Sequence, residues 1–136
     1  MNADVAQMNV PLERARLNHL SGIGIGAAQR VSSTLGYGFL EKVYENALCL
    51  ELRKREIEAY QQFPLQVAYE GVVVGDYIPD LLIESCLIVE IKATSSIEKV
   101  HRQQCLNYLR ASNLTLGLLL NFGHAHLEAG RVVYRF

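Results

Sequence analysis

From Leu114 to Asn121 the chain reads Leu-Thr-Leu-Gly-Leu-Leu-Leu-Asn, its most uniformly apolar stretch. The run is far too short to span a bilayer and shows no polar–apolar alternation. It reads as a β-strand buried on both faces, which requires helices packed on both sides of its sheet. Before it lies a helical pattern from about Ile97 to Ala111, with Val100, Gln104, Tyr108 and Ala111 near one line and Ser95 or Ser96 as the cap. Before that, Leu87 to Ala93 reads as another strand. A strand, a helical crossover and a buried strand favour a parallel pair.

The remainder fits around that unit. Leu17, Leu20, Ile23, Ala27, Val31 and Leu35 recur at three- and four-residue intervals and predict a helix from Leu12 to about Leu35, preceded by a loose arm over residues 1–11. Gly36 and Gly38 break it. A second helix follows from about Phe39 to Arg55, with Glu41 in its first turn, where negative charge suits the helix dipole. Alternation then replaces helical spacing. Leu65 to Tyr69 predicts a strand turning at Glu70-Gly71, and Val72 to Ile83 a second, bent near Gly75 and Pro79. With Leu87 to Ala93 these make an antiparallel meander, and Arg131 to Phe136 is a last strand. The expected fold is α/β (α+β), a mixed sheet with flanking helices. At 136 residues there is room for one domain, here residues 12–136.

Composition excludes several classes. Half the residues are hydrophobic, too many for a disordered chain, and no apolar run approaches the roughly 20 residues of a membrane span. Residues 1–11 are polar and lack a hydrophobic signal core. Cys49, Cys86 and Cys105 are odd in number and far apart, unlike a disulfide framework or a zinc site. Reduced thiols in a cytoplasmic protein are the expectation. A net charge of −1 does not favour a protein that grips nucleic acid by its backbone alone, although one groove can be basic on a neutral protein.

The chemistry concentrates in the hairpin formed by Tyr77 to Ile83 and Leu87 to Ala93. If Glu84, Ser85 and Cys86 form the turn, Ile83 faces Leu87, and counting back sets Asp80 opposite Glu90. On the outgoing strand Ile88, Glu90 and Lys92 share one face, and Leu87, Val89 and Ile91 the other. Facing Cβ atoms lie about 4.5–5.5 Å apart, so two like charges there repel. Lys92 offsets part of that repulsion. A divalent cation held by both carboxylates offsets more, and magnesium characteristically uses one or two carboxylates with waters and substrate phosphate. Such a cation acidifies water and polarises a phosphoryl oxygen, while Lys92 steers the water or stabilises charge at phosphorus. Glu41 is placed to complete the shell directly or through water. A Glu-x-Lys on a half-exposed strand is otherwise commonplace; Pro79-Asp80 in register sets this one apart.

The segment Gly38-Phe39-Leu40-Glu41-Lys42-Val43-Tyr44 matches the Gly-x-x-Glu-x-x-Tyr signature, and the chain resembles the GxxExxY protein family, a branch of the PD-(D/E)XK nuclease superfamily. The resemblance runs from about Leu20 to Phe122. It takes in Tyr44-Glu45-x-Ala47-Leu48, Asp80-Leu81-Leu82, Val89-Glu90-Ile91-Lys92-Ala93, His101-x-x-Gln104, Asn107-Tyr108-Leu109 and Gly117 to Gly123. Two positions depart from the family's habit: Ser32 stands where histidine is common and Tyr37 where proline is. The resemblance implies a restriction-endonuclease-like α-β-β-β-α-β core. It implies Asp80, Glu90 and Lys92 as catalytic residues, with Asp80, Glu90, the Ile91 backbone carbonyl and Glu41 as ligands of Mg2+ or Mn2+. Gln104 and Tyr108 are similar to a Gln-x-x-x-Tyr pair near metal and nucleic acid in RecB-type nucleases, and His101 lies one turn before them as a substrate contact.

The resulting expectation is a divalent-metal-dependent nuclease acting on nucleic acid, DNA before RNA, with no membrane partner. A homodimer is compatible, since small nucleases gain grip by pairing. The competing expectation is a non-catalytic nucleic-acid-binding or protein-interaction module on the same fold. Gly22-x-Gly24-x-Gly26 lacks the strand and spacing of a nucleotide loop and reads as helix packing. His124-x-His126 lacks a third ligand.

Overall fold

The computed structural model describes the backbone from Ala3 to Phe136 and side chains from Leu12; Met1 and Asn2, part of the expected arm, lie outside the described residues. Two helices come first. Helix α1, Ala3–Leu35, has a backbone that takes in residues 3–11 of the segment expected as a loose arm. Gly36 and Gly38, with φ of 73° and 112°, then turn the chain, as their spacing predicts. Helix α2 is Glu41–Lys54 and begins on Glu41 itself.

Seven strands and one helix follow: β1 (Ala59–Gln61), β2 (Leu65–Tyr69), β3 (Val72–Tyr77), β4 (Leu81–Ile83), β5 (Leu87–Lys92), α3 (Lys99–Ser112), β6 (Leu116–Asn121) and β7 (Glu128–Val133). The main sheet has the order β1-β4-β5-β6-β7, while β2 and β3 form a separate ribbon. β5 and β6 run parallel through the α3 crossover, and every other pair in the sheet is antiparallel. The mixed sheet with flanking helices is therefore present. Its α-β-β-β-α-β core is α2-β1-β4-β5-α3-β6.

The expected meander needs correction in its members. Its first strand is β1, too short to show a period, and not Leu65–Tyr69. The expected single strand Val72–Ile83 is two, β3 and β4, because Pro79 has no amide to donate and Ile78 before it is confined to extended backbone. Pro64 stands at the other junction, between β1 and β2, so the β2–β3 ribbon is an insertion between two paired strands. It turns at Glu70 and Gly71, with φ of 50° and 78°, and carries a bulge at Val67/Ala68. The last strand sits earlier than Arg131–Phe136, because Glu128 pairs with Asn121 directly after the turn. α3 is capped at Glu98, not Ser95 or Ser96, and ends on Asn113 in the left-handed conformation.

Two cores sandwich the sheet. On one face, Leu81, Ile83, Leu87, Val89, Ile91, Leu116, Leu118 and Leu120 pack against Leu17, Leu20, Ala27, Val31, Tyr44, Leu48 and Leu52 of α1 and α2. Gly24 lets α1 come close, since a Cβ there would stand 3.2 Å from Leu118. On the other face, Leu82, Ile88 and Leu119 meet Cys105 and Leu109 of α3 and Tyr77 of the ribbon. Every residue of β6 is buried, as expected for a strand covered on both sides. Among the described residues no helix is long and apolar enough to cross a membrane.

Candidate active site

The register places the acids where alternation predicts. Leu81 pairs with Val89, Leu82 with Ile88 and Ile83 with Leu87. The turn between them has Glu84 and Ser85 at φ of 49° and 59°. One residue before β4, Asp80 continues this register toward Glu90: its amide donates to Glu90 Oε1 at 3.4 Å. Its own Oδ2 accepts the Ile91 amide at 2.7 Å, and its carbonyl accepts from the Gln62 amide at 3.2 Å. Leu82 and Ile88 belong to the α3-side core, so alternation sets Asp80, Glu90 and Lys92 on that same face.

Burial and mutual proximity strain both carboxylates. Glu90 is pushed up to about 7, chiefly by loss of water; the Tyr77 hydrogen bond pulls it back, and Asp80 raises it further. Asp80 is also raised, by burial first. The Ile91 amide and Lys92 oppose that rise, while Glu45 and Glu41 add to it. Lys92 is half-buried at the end of β5 and forms no ion pair among the described residues. Its backbone is held from the next strand, where the Phe122 amide donates to the Lys92 carbonyl at 2.8 Å. The fully buried Asn121 secures the exit: Oδ1 accepts the Thr94 and Gly123 amides and Nδ2 donates to the Thr94 carbonyl, all at 3.0 Å.

Tyr77 is a member that sequence reasoning missed. Its hydroxyl donates to Glu90 Oε1 in a short hydrogen bond, and burial followed by the Glu90 charge holds the phenol far above its ordinary range. Its ring stacks on Tyr108, centroids 3.4 Å apart, and Tyr108 in turn accepts from Gln104 Nε2 at 2.8 Å. The Gln104–Tyr108 pair is thus linked to Glu90 through one phenol. α3 comes this close because β6 has Gly117 beneath Cys105, where a Cβ would stand 2.6 Å from the sulfur. His101 has a helix-capping contact, its Nδ1 accepting the Glu98 amide at 3.1 Å.

Glu41 is exposed at the start of α2 and acts on Asp80 through space. The second missed residue is Glu45, one turn on and 4% exposed. It accepts from Lys42 at 2.8 Å, Gln61 at 2.7 Å and Gln62 at 3.0 Å, tying α2 to the segment that bonds Asp80. Two of its three donors, Gln61 and Gln62, come from beyond the helix, so only chemistry, a carboxylate between Tyr44 and Ala47, hinted at it. Among the described residues no group of three or more His, Cys, Asp and Glu side chains is gathered closely enough to hold an ion. The pair Asp80 and Glu90 still suits a hard divalent cation: both are oxygen donors whose charged forms are disfavoured by burial and by each other, and which a cation would restore.

A sequence profile of the PD-(D/E)XK nuclease superfamily matches residues 18–133. The fold is similar to the crystal structure of an alkaline exonuclease (LHK-Exo) from Laribacter hongkongensis, at 9% identity and a TM-score of 0.46, over 78% of this chain and 75% of that one. No curated protein matches in sequence. With the profile covering all but the two ends, this chain belongs to the PD-(D/E)XK nuclease superfamily.

Proposed function

We propose that the protein is a nuclease of the GxxExxY branch that hydrolyses phosphodiester bonds with Mg2+ or Mn2+, on DNA in preference to RNA. The observation that carries this reading is the convergence of Asp80 and Glu90 on one face of the β4–β5 pair, with Lys92 two residues along that face. Asp80 and Glu90, with the Ile91 backbone carbonyl, would hold the ion, and Glu41 would reach it through water. When bound, the ion supplies Lewis acidity and a more acidic water. Lys92 orients that water and stabilises negative charge at the phosphorus. Gln104, Tyr108 and His101 contact the substrate from α3. Three free cysteines agree with a cytoplasmic setting, and a homodimer would extend the surface available to a substrate.

The test is cleavage of single- and double-stranded DNA, and of RNA, with Mg2+ or Mn2+. Asp80→Ala and Lys92→Ala are each expected to abolish turnover, and turnover that survives both substitutions sinks the reading. One observation favours a second reading, a non-catalytic nucleic-acid-binding or protein-interaction module: Glu90 is already engaged by the Tyr77 hydroxyl. Calorimetry separates the two, since the module binds no divalent ion.

A further inference from the structure

A groove of about 420 Å3 lies between α3 and the edge strand β7, lined by Lys99, Arg102, Gln103, Leu106, Arg131 and Val132–Val133. Lys99 and Arg102 supply its cations, on a chain whose 13 Lys and Arg are outnumbered by 14 Asp and Glu. The Arg131 guanidinium turns to the α1 side of the sheet, where it donates to Asn18 Oδ1 and lies over the Phe136 ring. Neither Lys99 nor Arg102 is in an ion pair among the described residues. Edge strands often carry charge to deter pairing with another sheet, and Arg131 alone would serve that end. Lys99 and Arg102 are not on the strand, however. They project from α3 at helical spacing with Gln103 and Leu106 into the same groove.

The groove is also shaped for its cation. A Cβ at Gly130 would stand 2.7 Å from an Arg102 guanidinium nitrogen, so a bare glycine on β7 lets that guanidinium lie across the strand. Glu128, whose charge Arg102 helps to stabilise, is already engaged by Asn121 Nδ2 and the Ile97 amide, both at 3.0 Å. Beyond the groove the basic edge continues. Arg110 and Arg135 both lie over the Tyr134 ring, 5.6 and 5.2 Å from its centroid. Cations alternating with an aromatic ring are a surface on which a single strand can lay phosphates and bases in turn.

We propose that the α3–β7 groove is a phosphate-backbone site for a nucleic-acid strand, on a separate face of α3 from Gln104 and Tyr108. It rests on nucleic acid being the substrate class and is independent of catalysis. The test is fluorescence anisotropy of a labelled single-stranded DNA oligonucleotide on the full chain in EDTA, over a range of salt. Lys99→Gln/Arg102→Gln is expected to weaken binding roughly 3- to 10-fold and to flatten the log–log salt slope by about 1 to 2 units. A control with equal charge loss between α1 and α2, Arg30→Gln/Lys54→Gln, is expected to bind like wild type. Arg102→Lys, which keeps the charge and needs no refolding, is expected to recover most of the loss. Wild-type protein that fails to bind, or a groove variant that keeps both affinity and slope, overturns the site. Groove-dependent binding without metal-dependent cleavage would instead sink the nuclease reading and leave the groove standing.

Discussion

The two faces of β5 make opposite use of one strand. Leu87, Val89 and Ile91 join a core of nineteen buried residues supplied by α1, α2 and the sheet, whereas Ile88 looks into a cluster of seven, among the described residues. On that thinner side the strand ends in Glu90 and Lys92, and burial leaves Glu90 short of solvent. The large core can tolerate the small one's electrostatic cost because it contributes most of the hydrophobic stabilisation, at about 25 cal/mol per Å2 of apolar surface removed from water. The comparison teaches a division of labour: one face supplies stability, and the other spends some of it to keep two acids close together.

The sharpest attempt to break that division is on the acid face. Asp80→Ala or Lys92→Ala is expected to cut metal-dependent cleavage by roughly a thousandfold or more. Asp80→Ala should hold or raise the melting temperature, because a repelling charge is removed, whereas Lys92→Ala should lower it slightly, because the ammonium that offsets both carboxylates is lost. A large loss of stability in Asp80→Ala would show that this face is structural. The reciprocal substitution, Leu118→Ala beneath α1, should cost about 2–5 kcal/mol in denaturant unfolding while the folded fraction keeps its activity.

A pH titration sharpens the point. Glu90 sits at about 7 in the folded chain, above its ordinary value of 4.5, so the folded state holds a proton that the unfolded chain has released. The stability this contributes is fully present below 4.5 and is lost as pH rises to about 7, a loss of roughly 1–3 kcal/mol. Metal-free wild type should show that decline, and Glu90→Gln should flatten it. The smallest expected effect is Tyr77→Phe, about 1 kcal/mol of stability. Because the phenol opposes the rise in Glu90, its removal should move the pH-dependent loss upward. A downward move would mean that Tyr77 does not bond the carboxylate.

Much of this was legible from residue order. The face partition of Leu87–Lys92 and the meeting of Asp80 with Glu90 follow from a side-chain period of two and one turn length. The uninterrupted apolar run of β6 predicts cover on both sides. What stayed hidden depended on distance along the chain. Ala59–Gln61 is too short to display a period, so nothing announced that it, rather than Leu65–Tyr69, borders β4. Alternation shows that a segment is extended but not which sheet it joins, and the ribbon's separation rests on Pro64 and Pro79. Tyr77 looks like any strand tyrosine until a helix thirty residues away in the chain, more or less, places Tyr108 against it. Glu45 has the same character, its partners Gln61 and Gln62 lying beyond the helix that carries it.

Asn121 has a reach larger than its size. A single amide grips the loop leaving β5 through Thr94 and, through Glu128, the chain entering α3 at Ile97. The lysine that ends one strand and the helix bearing the glutamine–tyrosine pair are therefore set at a common joint. A strand laid along the outside of α3 would rest on a helix whose entry is anchored to the same amide that anchors the end of β5, so its position relative to the ammonium would be set by the fold beforehand.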